Sequence, residues 1–191
     1  MSEQILDGTG KGYKAKVTEQ NRLSTFSIVE SRSADISQRE GNTFLLASDF
    51  VSLTTTGSFN GMMYVKNNSN SGLYIDKIRI CGTGTSMNSM QSIITANPTA
   101  GTLISDANDA SANPANLGSS NIFDGLAYSA SADGKTVTDG TQISQFTIHL
   151  PGHTIQEYDG ALYLPKGSSF AVSVKPGVAT TACVEVQCWF E

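Results

Sequence analysis

Charge is scarce in this chain: Asp, Glu, Lys and Arg make up only 15% of it, where about a quarter is usual for a soluble domain. The charges present sum to -5. A surface that tracks phosphates needs clustered Lys and Arg, so nucleic acid is not expected as a direct partner. Long apolar runs are missing too. Nowhere do about 18 apolar residues follow one another, and the start, MSEQILDGTGKGYKAKV, lacks the apolar centre of a secretory signal. No membrane partner is expected, and the chain reads as a soluble product made in the cytoplasm.

Cysteine and histidine are nearly absent, which narrows the chemistry. The three cysteines, Cys81, Cys183 and Cys188, are too few and odd in number for a disulfide framework. Cys183 and Cys188 lie five residues apart in one strand-like run, which puts them on opposite faces and about 16 Å apart. They cannot pair with each other, and reduced, buried thiols are the reading. The two histidines, His149 and His153, flank the turn Leu150-Pro151-Gly152. Without a nearby carboxylate or thiolate they make a poor metal site, so no metal and no cofactor is expected.

Other partial motifs fail on spacing. "GTGKG" at 8–12 has its Lys before a Gly rather than a Ser or Thr, and no strand precedes it, so it is not a phosphate loop. Asp106, Asn108 and Asp109 suggest a calcium loop, yet its glycine and glutamate positions hold Ser111 and Leu117. There is no G-x-S-x-G, and two histidines on one turn leave few ways to assemble a nucleophilic triad. The chain is not expected to be an enzyme.

Gly, Ser, Thr, Ala and Asn are plentiful instead, and they suit short strands joined by many turns. At 191 residues the chain is long enough for one all-β domain with a real core. Residues 1–23 show no period and read as an extended N-terminal arm, followed by a domain over 24–191. Six of the twelve basic residues fall in the first forty positions. "STFSIVES" reads as a strand, and "SADISQREGN" as a two-turn helix with Ser33 as N-cap and Gly41 just past its end. "TFLLAS", "FVSLTTT", "GMMYVKNN" and "LYIDKIRICG" follow as strands.

Residues 96–121 hold only Leu103, Ile104 and Leu117 as large apolar side chains. They read as a long surface excursion with one short strand at 101–105. "IFDGLAYSA", "TQISQFTIHL", "GALYLP", "SFAVSVKP" and "TACVEVQCWFE" complete nine or ten strands. In the last run Ala182, Val184, Val186, Cys188 and Phe190 share one face, and Cys183, Glu185, Gln187 and Trp189 the other. Bulky residues on both faces imply a strand paired inside a sheet and covered on both sides. Trp189 is therefore a candidate for an oligomer interface, with a loop of the same chain as the other cover. The expected fold is an antiparallel β-sandwich, jelly-roll-like, with an extended N-terminal arm and one short helix.

Several phrases of the chain resemble a known group. "DGTGKGYKAKVTEQNRLSTFSI", "MMYVKNNSNSGLYIDKIRI", "NPTAGTLI" and "LPKGSSFAVSVKP" resemble tailed-bacteriophage virion structural proteins, over nearly the whole length. The ending "TACVEVQCWFE" departs from the simpler aliphatic ending of that group, and the group has no catalytic residues to carry over. The resemblance implies a capsid decoration (cement) protein: a homotrimer on the virion capsid surface, bridging the major capsid protein. Lys11, Lys14, Lys16 and Arg22 would then be the arm's capsid contacts. A tail-fibre or head-fibre module that binds host glycans is the alternative, with the 96–121 segment and exposed tyrosines as its contact surface.

Overall fold

The computed structural model describes residues 16–17, 23–24, 32–83, 89–105 and 110–191. The chain divides into two units, residues 1–31 and residues 32–191. In the first unit a two-residue strand β1 (Lys16–Val17) pairs antiparallel with β2 (Leu23–Ser24), Lys16 opposite Ser24. The segment expected to be a plain extended arm thus carries a small ribbon. Of the strand expected over 24–31, all but Ser24 lies outside the described residues.

The second unit is an all-β sandwich with one helix. It comprises α1 (Arg32–Arg39), β3 (Thr43–Ala47), β4 (Val51–Leu53), β5 (Asn60–Asn67), β6 (Leu73–Thr83), β7 (Ser89–Ala96), β8 (Ser111–Pro114), β9 (Gly125–Ser129), β10 (Thr141–His149), β11 (Gly152–Leu164), β12 (Ser169–Pro176) and β13 (Thr180–Phe190). One sheet runs β10-β7-β12-β5-β9 and the other β11-β6-β13-β3-β8, with β4 also paired to β13. Every strand pairing in the two sheets is antiparallel. Without β4, β8 and β9, the successive strands β3, β5, β6, β7, β10, β11, β12 and β13 fill the sheets in the order of a jelly roll. The expected sandwich is present, and residues 97–140 are an insertion between its fourth and fifth strands.

The pattern of apolar residues explains the layers. In β13 the Ala182–Val184–Val186–Cys188 set is buried in the core and the alternate residues are half-buried on the outer face, as period two requires. The runs "GMMYV" in β5 and "FAVSV" in β12 do not alternate and are buried throughout, so both faces of this sheet are covered. The inserted segment supplies that cover. Leu103 joins the core, Val137 packs against it, and the Gly61 N–H donates to the Lys135 carbonyl at 2.7 Å.

Residues 96–121 are therefore more than a surface excursion. Gly101–Ser105 is a short 3-10 turn and not a strand, because Gly101 takes a φ of +54°, outside the extended region. A strand forms later, where β8 pairs with β3.

Phe123, in the same insertion, meets Phe44 of β3 at 5.6 Å and Phe190 of β13 at 5.4 Å, and Phe44 meets Phe190 at 5.9 Å. The far end of the insertion is held by Asp133. Its carboxylate accepts the N–H and the hydroxyl of both Thr54 and Thr55 at 2.7–2.9 Å.

The helix forms where expected, with one correction. Gly41 adopts φ +66° and donates its N–H to the Ile36 carbonyl at 3.0 Å, closing the helix C-terminus. Ser33 lies inside α1 instead of capping it. It is buried, and its hydroxyl donates to Asp76 of β6 at 3.2 Å, tying the helix to the sheet.

Two stability measurements follow from this packing. Phe123→Ala should lower the unfolding free energy by about 3–5 kcal/mol, whereas Leu117→Ala should change it by no more than about 0.5 kcal/mol. Equal effects in urea titrations would contradict the packing. Burial pushes the Asp133 carboxyl up, but the hydrogen bonds from Thr54 and Thr55 outweigh it and hold the group well below the usual carboxylate range. A lowered folded-state value means that its contribution is complete above the unfolded value of about 4 and is lost as pH falls below it. The gap in Tm between wild type and Asp133→Ala should therefore be constant from neutral pH down to about pH 5 and shrink below about pH 4.

Candidate functional site

Among the described residues, those singled out in the sequence do not converge. Lys11, Lys14 and Arg22 lie outside the described residues, and Lys16 is placed only as part of β1. His149 ends β10 in one sheet, and His153 lies in β11 of the other, opposite Cys81. Asp106, Asn108 and Asp109 lie outside the described residues. Among the described residues no three or more His, Cys, Asp or Glu side chains gather where they could hold a metal ion.

Trp189 is covered by its own chain. It is 3% exposed, stacked on Tyr74 at 5.6 Å with the rings 8° from parallel. Gly160, at φ +80°, lies against the edge of the indole, where a Cβ would stand 2.7 Å from the ring. The cover comes from residues of the same chain, Gly160 of β11 and Tyr74 of β6, and not from a loop. Tyr74 also touches Tyr163 at 4.9 Å, and Tyr163 is 50% exposed, so the aromatic cluster has one open member.

A cleft of about 520 Å³ opens at the Thr83–Thr180 end of the sandwich, lined by Ser52, Thr54, Thr83, Thr180 and Thr181 among others. Among the described residues, none that lines it is an acid, a base or a thiol. It offers hydroxyls without a group to move a proton.

The surface that stands out is one side of the sandwich, where β8 ends one sheet and β9 ends the other. At one point the two edges are joined: the Ala110 N–H donates to the Ala127 carbonyl at 2.9 Å. A groove of about 260 Å³ lies between them, lined by Ala112, Ile122, Phe123, Leu126 and Tyr128 among others. Phe123, whose far side belongs to the core, forms part of its wall. Ile122, in its wall, is 86% exposed, and Leu117, three residues after β8, is 97% exposed.

Residues 110–130 also contain a single side chain charged at neutral pH, Asp124. Sheet edges in soluble proteins are normally guarded by Lys, other charges or close cover. β11, at an edge on the other side, carries Glu157 and Asp159. Along β8 only Pro114 offers such protection. Because Ala115 donates to Thr43 of β3 and strand residues alternate, Ala112 turns its own N–H away from β3. The arrangement can take up an apolar side chain in the groove and backbone hydrogen bonds along its rim.

Sequence reasoning missed this surface because it depends on two strands from different sheets ending side by side. The available signal was the long stretch from 110 to 130 with one charge and three large aliphatic residues. Compared with known protein families and with curated proteins, the chain matches none.

Ile122→Lys should leave stability within about 0.5 kcal/mol of wild type, since the side chain is outside the core. The same substitution should lower the fluorescence of a hydrophobic dye bound to the folded protein. Unchanged dye binding would mean that the groove is not an accessible apolar surface.

Proposed function

We propose that this chain is a bacteriophage virion structural protein: a capsid decoration, or cement, protein that binds the major capsid protein lattice as a homotrimer and stabilises the head. The observation that carries the reading is the stretch 110–130 that holds β8 and β9, with one charged side chain and with Leu117 and Ile122 standing almost wholly in solvent. Apolar side chains beside bare sheet edges suit a protein that spends its working life against other protein. The resemblance of its phrases to tailed-phage virion proteins points the same way. A rigid sandwich repeated by symmetry makes many weak contacts, and avidity turns these into stable attachment. In this reading the arm residues Lys11, Lys14, Lys16 and Arg22 contact acidic capsid surface.

Gold-labelled antibody on intact virions tests it. The label should spread evenly over the head, and virion binding should fall when residues 1–23 are deleted or Leu117 and Ile122 are both changed to Lys. Label confined to the tail or to one vertex would overturn the decoration role.

A second reading has its own observation. Tyr163 is half-exposed on the Tyr74–Trp189 stack, and an open tyrosine on a rigid aromatic base suits the apolar face of a sugar ring. It corresponds to a tail-fibre or head-fibre module that binds host surface glycans. Binding on a glycan array that Tyr163→Ala abolishes would favour it over decoration.

A further inference from the structure

The outer face of the β6–β13 pair holds a feature that neither functional reading uses. Cys81 and Cys183 are direct cross-strand partners in the register of these two strands. Both are partly exposed and unpaired, whereas Cys188 is fully buried on the opposite face of β13. On the far flank of β6, His153 of β11 stands opposite Cys81, so a histidine and two thiols form one row across three strands.

The backbone fixes the kind of site. Val184 uses its N–H and C=O on Ser48, at 2.9 Å each, so its neighbour Cys183 turns both groups toward β6. Cys81 and Cys183 therefore occupy a hydrogen-bonded pair position, where the Cα atoms stand about 5.5 Å apart. That separation lies inside the range a disulfide spans, but the Cβ atoms at such a position are farther apart than a disulfide prefers. A bond formed there pulls the side chains together under strain, and strained disulfides are the readily reduced ones.

We propose that Cys81 and Cys183 form a dithiol site that closes to a labile cross-strand disulfide by exchange with a low-molecular-weight disulfide of the glutathione class. In the first step the Cys81 thiolate attacks one sulfur of the small disulfide. A mixed disulfide forms on Cys81 and one small thiol leaves. In the second step Cys183 gives up its proton to solvent and attacks the Cys81 sulfur. The protein disulfide forms and the second small thiol leaves, so two protein thiols are oxidised and one small disulfide is reduced to two thiols.

The order of attack follows from the surroundings. Burial and a hydrogen bond with the Cys81 thiol push the Cys183 thiol up to about 12, so at neutral pH it keeps its proton and acts second. His153, opposite Cys81 in the register, would take up the Cys81 proton in the first step. The bond would join residues 81 and 183, and closing a loop of about 100 residues restricts the unfolded chain.

The test is titration of the full-length protein with oxidised glutathione at neutral pH, followed by thiol counting, intact mass and peptide mapping without reduction. The expected result is that two of the three thiols disappear together and a peptide linking Cys81 to Cys183 is recovered. A phosphine reductant should restore both thiols, and the oxidised form should melt several degrees higher, on the order of 5 °C. Cys183→Ser should leave a stable glutathione adduct on Cys81, and Cys188→Ser should oxidise as wild type does. A lasting glutathione adduct on the wild-type protein, disulfide-linked dimers, or thiols that do not react would each overturn the proposal.

Discussion

Three phenylalanines from distant parts of the chain meet at one place, and much of the architecture depends on that contact. Phe44 belongs to β3, Phe190 to β13, and Phe123 to the insertion between β7 and β10. β3 and β13 pair directly, so two of the rings are fixed by the sheet. The third comes from the insertion and packs against both. Its burial draws the insertion against the side of the sandwich. There β8 extends one sheet through its pairing with β3, and β9 extends the other through β5. The groove between those edges is a by-product of the same contact, since Phe123 helps to line it.

The scarcity of charge acquires a structural meaning from this arrangement. A sandwich has four sheet edges, and a soluble protein usually guards each with charge, proline or covering chain. Here residues 110–130, which hold β8 and β9, include one side chain charged at neutral pH and two large aliphatic side chains in solvent. The same low charge density leaves few groups for acid–base chemistry. The electrostatic contacts that do occur fasten the chain to itself: Asp133 anchors the insertion to Thr54 and Thr55, and Arg32 of α1 pairs with Glu191 at the chain's end.

The sandwich was legible because its strands announce themselves by short apolar runs between turn residues. The two faces of β13 followed from period two alone, and the helix from its length and Gly41. What was not legible depended on pairs of distant residues. The cover of Trp189 by Gly160 needs the irregular register of β11 against β6, which no local pattern reveals. The Cys81–Cys183 row needs the register of β6 against β13; spacing along the chain excludes Cys183 with Cys188 but says nothing about Cys81. The 96–121 segment misled for a related reason. Its small residues cannot form a core alone, yet Leu103 completes one that other strands have begun.

The proposed function makes the β8–β9 side a surface for another protein. Hydrogen–deuterium exchange, read at residues 110–130 in the free protein and in the protein attached to purified phage heads, tests it most directly. The account predicts that amides of this side, Ala112 among them, exchange more slowly on attachment, while those of β10 and β11 at the opposite edges do not change. Equal exchange at β8 and β9 in the free and attached protein would contradict it.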